Sequence, residues 1–216
     1  VHHPGSVRAN TALAYYEIRQ GNVILARAAI DGLLQSPNPR VRELAYLHRV
    51  LSDCVVSGDA TANDLHQAIA LARPKVTLDE MYVFADLATI NDQRACNGAS
   101  PAMLADTIVA MLAVAHSQPD GILPKWKLRN TAAQLYAAAG DWNLAMAQAE
   151  LAWQPTADAP VGAFLVRTYA RNGMQEKAER TFDEVARRVN RNDFKDRNGL
   201  IELRQFLDRA KADQTD

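Results

Sequence analysis

The chain lacks any apolar run approaching the roughly 18 residues that a membrane-spanning helix needs. Its richest stretch, residues 107–115, is far shorter and has Asp106 against it. No helix of this sequence is therefore expected to cross a bilayer. A signal-peptide pattern is missing as well. So is an initiating methionine: the sequence begins at Val1 and reads as a processed product or an excised piece of something longer. Aromatic residues are few, 6% against 48% hydrophobic overall, and alanine is abundant. Small side chains let helices approach closely, so this balance points to an all-α protein. Charge of one sign is not in excess either. With 24 basic and 25 acidic residues the net charge is −1, which supplies no overall field to draw in nucleic acid or an anionic membrane surface.

Chemistry-bearing patterns are equally scarce. The five histidines stand at positions 2, 3, 48, 66 and 116, and none belongs to an HExxH motif or a Cys–His cluster. His2–His3 is too short for an affinity tag, and His48 and His66 read as partly exposed helix residues. Nucleophile elbows, phosphate-cradling glycine loops and dinucleotide fingerprints are absent. No catalytic residue, metal or cofactor is expected, and the chain reads as a non-enzyme. An all-α enzyme is the alternative, kept open by an irregular middle in which a pocket near residues 91–99 would be its sign.

What the chain does have is a repeat. Residues 135–152 and 168–185 read LYAAAGDWNLAMAQAELA and TYARNGMQEKAERTFDEV. Tyr136, Gly140 and Ala145 recur as Tyr169, Gly173 and Ala178, each 33 residues downstream. Two helices broken by a glycine turn, recurring at this period, predict a helical-repeat solenoid. Each residue type has a packing reason. Gly140 and Gly173 end a first helix in a left-handed conformation at no steric cost. Asp141 then caps the second helix, and Ala145 and Ala178 sit where the helices of a pair approach most closely. A weaker third copy surrounds Gly21, with Ala26 and Ile30 in place and Glu17 where the aromatic belongs.

Apolar spacing divides one domain, residues 1–216, into units at about 6–36, 40–72, 77–117, 125–155 and 158–190, followed by a cap at 194–212. In the second unit Leu44, Leu47, Leu51, Cys54 and Val55 form one stripe, and Thr61 with Asp64 is a capping pair. Thr77 with Glu80 opens the next helix, residues 91–99 form a polar loop, and Ser100–Pro101 starts a helix. Residues 118–124 (QPDGILP) read as a linker or a turn between units. The last helix has Leu200, Leu203, Phe206, Leu207 and Ala210 on one face and Glu202, Arg204, Asp208 and Lys211 on the other. That is the polar outer cap an array needs. The basic run 187–197 reads as a solvated surface at a helix end, since it holds two aspartates and lacks interleaved aromatics.

The aromatic, glycine and alanine at this spacing resemble the tetratricopeptide repeat. The resemblance implies a right-handed α-solenoid of about five antiparallel helix pairs plus a C-terminal capping helix, which binds proteins or peptides rather than nucleic acid. In that family the first helices line a concave groove. Carried over, the groove would be lined by Arg8, Thr11 and Tyr15 from the first unit, Lys127, Asn130 and Gln134 from the fourth, and Ala163, Arg167 and Arg171 from the fifth. Some family members hold a terminal carboxylate with basic and amide groups of this kind.

Stacked first helices would bring the ends carrying Cys54 and Cys96 together. A disulfide between these two, 42 positions apart, stabilises by roughly 4 kcal/mol on the loop-entropy model and implies an oxidising compartment. The alternative is a small core residue and a loop thiol in a cytosolic protein. The opening HPGSVRANTALA, the two cysteines, and an irregular helical middle followed by regular repeats also look like the soluble carboxy-terminal tails of certain bacterial multi-pass membrane proteins. Those are tetratricopeptide-bearing relatives of O-antigen polymerases and ligases and of O-mannosyltransferase-like glycosyltransferases. This resemblance implies a periplasmic interaction module attached to an upstream membrane domain that would hold any catalysis. A free cytoplasmic adaptor with the same groove is the competing expectation.

Overall fold

A computed structural model describes residues 7–56, 62–71, 83–84, 86, 100–114, 125–189 and 194–213. The expected caps at Thr61, Thr77 and Glu80, the loop 91–99, the linker 118–124 and Cys96 lie outside them. Among the described residues there is no strand, and ten helices follow in order. These are α1 (Val7–Gln20), α2 (Val23–Leu34), α3 (Pro39–Val56), α4 (Ala62–Leu71), α5 (Pro101–Val114), α6 (Lys125–Ala138), α7 (Trp142–Ala152), α8 (Ala159–Arg171), α9 (Gln175–Arg188) and α10 (Phe194–Ala212). Each packs against the next along the chain, and α1 also meets α3, as α8 meets α10.

The glycine turns are built alike. After α1, α6 and α8 the chain passes through Gly21, Gly140 and Gly173 at φ of 75°, 83° and 71°. In each, the residue after the glycine donates its N–H five residues back: Asn22 to Glu17, Asp141 to Tyr136 and Met174 to Tyr169, all at 2.9 Å. The glycine N–H donates to Ile18, Ala137 or Ala170 at 3.0–3.1 Å. This is the Schellman pattern, which satisfies carbonyls that a helix end otherwise leaves unpaired. Five residues past each glycine, Ala26, Ala145 and Ala178 are all fully buried. Where the first turn lacks an aromatic, Glu17 is buried and accepts from the Asn22 side chain at 2.6 Å. Asp141 caps α7 as its position predicts, accepting from Leu144 N–H at 3.0 Å.

The core runs through α6 and α7 without a break. Leu128, Ala132, Leu135, Tyr136 and Ala145 join the apolar cluster built from α1–α5. Ala133 and Ala149, on other faces of the same helices, join the cluster built from α8–α10. At the junction Trp153 packs over Gly162, donates Nε1–H to Glu184 at 2.9 Å, and is covered by Arg188 at 3.8 Å from the ring centre. Ser100 caps α5 through Met103 N–H at 3.2 Å, with Pro101 as its first residue.

The pair α3–α4 lacks the repeat consensus and adds polar contacts to the packing of Leu47, Leu51, Leu65 and Ala68. Arg49 donates to both Asp64 oxygens, at 2.7 and 2.5 Å, while Arg27 ties α2 to α3 through Asp53 at 2.9 Å. His48 corrects the sequence reading. It is 2% exposed, its Nδ1 lies 2.8 Å from the Leu44 carbonyl, and its ring meets Tyr15 edge-on. His66 is exposed, as expected.

Candidate binding face

The first helix of each regular pair ends at a glycine turn, so its exposed residues are fixed by where its buried stripe points. In α6 that stripe is Leu128, Ala132 and Leu135, and in α8 it is Val161, Leu165 and Thr168. On α6 Lys127 and Gln134 are left exposed, and on α8 Arg167 and Arg171. These are four of the nine residues expected to line a groove, and Ala163 is half-buried on α8. Asn130 is half-buried, and its side-chain carbonyl is enclosed with no hydrogen bond among the described residues. Thr11 is half-buried on α1, and Arg8 lies on the same helix with its side chain outside the described residues.

Tyr15 is committed elsewhere. Its hydroxyl donates to Asp86 at 2.6 Å, and Arg19 reaches the same carboxylate at 3.3 Å. Burial, followed by the hydrogen bond to Asp86, raises the phenol above its ordinary range. Tyr136 and Tyr169 repeat this arrangement, each donating at 2.6 Å to a carboxylate of the preceding helix, Asp106 and Glu150. Burial first and the carboxylate second push both phenols up. These tyrosines join neighbouring helices and present no reactive group to solvent.

Where α8 and α10 end side by side, a cleft of about 450 Å³ is lined by Ala170, Arg171, Phe206, Arg209, Ala210 and Asp213. Its lining sets three apolar side chains beside two guanidiniums and one carboxylate. Arg171 is held over the Trp142 ring at 4.2 Å from the centre, a cation–π contact that limits its orientation. Arg209 donates Nε–H to the Gln205 carbonyl at 3.2 Å, and no ion pair joins either arginine to a described residue. Both stand in the last turn of their helices, where positive charge complements the helix dipole.

Of the nine residues expected at a groove, Arg171 alone lines this cleft. Arg209 and Phe206 escaped notice as site residues because their meeting with Arg171 depends on how α10 docks, which local periodicity does not encode. Lys127 lies 5.4 Å from the centre of its neighbour Trp126. Beside it, Arg129 is half-buried with Gln148 as its partner at 2.8 Å, and burial lowers its proton affinity.

Cys54 is 3% exposed and disulfide-bonded. No group of three or more His, Cys, Asp or Glu among the described residues is arranged to hold a metal ion. No helix among them is long and apolar enough to cross a membrane. Comparison with family models, curated proteins and solved structures finds no match to the chain.

Proposed function

We propose that the chain is a helical-repeat scaffold of the tetratricopeptide type, which binds a protein or peptide partner along the exposed faces of its first helices. The recurrence of one turn three times carries this reading. At Gly21, Gly140 and Gly173 the same left-handed residue and paired hydrogen bonds are followed by the same buried alanine. A chain that rebuilds one supersecondary unit presents the same side of each unit to solvent, and an extended surface of that kind suits an extended partner. The scaffold reading is tested by adding a pool of random-sequence peptides to the isotope-labelled chain. Amide resonances of α6, α8 and α10 are expected to shift while those of α7 and α9 stay. Shifts confined to α7 and α9 would move the site to the opposite side.

The cellular setting belongs to the same proposal. The scaffold serves as the periplasmic docking module of a larger bacterial membrane protein in cell-envelope glycan assembly or protein glycosylation, with catalysis in the membrane part. The disulfide at Cys54 supports an oxidising compartment over a cytoplasmic adaptor. Cys96 is the one other cysteine in the sequence, and we take it as the partner. Thiol titration of unfolded, unreduced protein should therefore find no free thiol. Two free thiols would return the chain to a reducing compartment.

A further inference from the structure

Among the described helices, charge is sorted by place in the pair. The first helices α1, α3, α6 and α8 hold ten arginines and lysines against three acids, and those three, Glu17, Glu43 and Asp53, are all buried. The second helices α2, α4, α5, α7 and α9 hold eight acids against five bases. The whole-chain charge of −1 conceals this division. Asp86, beside α1, does not offset it, because Tyr15 and Arg19 already occupy its carboxylate. Toward the C-terminal end of the array, Lys127, Arg167, Arg171 and Arg209 are exposed with no carboxylate partner among the described residues.

From this sorting we infer that the first-helix face, ending in the Arg171–Arg209 cleft, binds an acidic peptide segment with one apolar side chain seated on Phe206. The inference rests on the scaffold reading and adds the chemistry of the partner. A guanidinium without a carboxylate partner is free to form charge-assisted, bidentate hydrogen bonds to Asp or Glu. Arg171 meets that need with little ordering cost, since its stack on Trp142 already limits its rotamers. Ala170, Phe206 and Ala210 give apolar lining to a cleft of about 450 Å³, where two guanidiniums outnumber the one carboxylate, Asp213; that size suits a side chain rather than a second folded surface. Nucleic acid is the less suited polyanion. The helix α9, packed against α8, holds four acids and four bases and so offers no continuous positive track for a long phosphate backbone.

Binding of two immobilised libraries to the full chain tests this. One holds random peptides with blocked termini, and its counterpart has every Asp and Glu replaced by Asn and Gln. Bound members of the first should be enriched in Asp and Glu beside an apolar residue. R171E and R209E should each weaken those binders roughly tenfold, the loss expected on removing one charge-assisted hydrogen bond. Both positions are exposed, so circular dichroism of the variants should match the parent. Equal binding to both libraries overturns the acidic preference and leaves the scaffold reading standing. Binding to neither removes both. A labelled thymidine oligonucleotide that binds as tightly as the acidic peptides, and loses binding in the same variants, replaces the peptide with nucleic acid.

Discussion

Gly140 and Gly162 both resist a Cβ, for different physical reasons. Gly140 has φ of 83° and nothing within 4 Å of the position a Cβ would take, so Gly140→Ala should cost only the left-handed strain, about 1 kcal/mol. Gly162 is an ordinary helical residue whose Cβ would stand 2.5 Å from Val185 Cγ2 and 2.6 Å from the Trp153 ring. Gly162→Ala should cost about 1–3 kcal/mol through overpacking in urea unfolding. Adding Trp153→Leu should make the pair cheaper than the sum of the two single changes, whereas strict additivity would show that Trp153 is not the obstacle. The turn glycine was legible because its neighbours repeat around it. Gly162 was not, because the indole that crowds it comes from the preceding helix, and His48 was misjudged because its cover is the non-local Tyr15 ring. The tyrosines carry a pH prediction. Burial and the acceptors Asp106 and Glu150 raise the folded phenols of Tyr136 and Tyr169 above the ordinary 10.0. Below pH 10 both states are protonated and the stabilisation is complete. Above it the unfolded phenols ionise first, so stability should fall as pH rises toward the folded value. The Tm should decline above about pH 10, and Tyr136→Phe with Tyr169→Phe should flatten that decline.

Among the described residues, helix pairs are closed in two ways. The pairs α1–α2, α6–α7 and α8–α9 use a glycine turn and an alanine contact, which is why their limits could be read from residue spacing alone. The pair α3–α4 uses ions. Asp64 is almost fully buried, while the Arg49 side chain that forks onto it is a third exposed. Asp64, in the first turn of α4, read from sequence as part of a capping pair, since nothing in its spacing from Arg49 marks a contact 15 residues away. Replacing it by Asn leaves Arg49 half-sheltered without its counter-charge. Asp64→Asn should destabilise by about 2 kcal/mol, below the 3–5 kcal/mol of a fully buried broken pair because water still reaches Arg49. Denaturant unfolding measures it, and a change within about 0.5 kcal/mol, the scatter of surface substitutions, would mean that apolar burial alone holds α3 to α4. The alanine-based pairs have no such charge to lose, so the salt dependence of unfolding should be reduced by the substitution.

At the scale of the whole molecule, the all-α class and the helical cap were legible because both follow from composition and apolar spacing. The sorting of charge was not, because a sum near zero says nothing about which helix holds which sign. The array's C-terminal end shows how far such a sum can mislead. There α10 lays Leu203 and Leu207, both fully buried, over the apolar cluster of α8 and α9. Arg204 ties it back to Glu179 at 2.8 Å and covers the Phe182 ring at 4.2 Å. The outer face carries the charged Glu202, Asp208 and Lys211, all exposed. Removing α10 by ending the chain at Val189 uncovers the apolar surface of the last pair. Loss of the two leucines alone should cost about 3–6 kcal/mol at 1.5–3 kcal/mol per buried side chain. The shortened chain should unfold at lower temperature, bind a dye selective for apolar surface, and self-associate through the bared face in sedimentation. It should also lose the acidic-peptide site, since Phe206 and Arg209 leave with the helix. A shortened chain with unchanged Tm would show that α10 is an appendage. The cleft would then be an accident of how it rests on α8, and the peptide site would have to be sought on α6 and α8 alone.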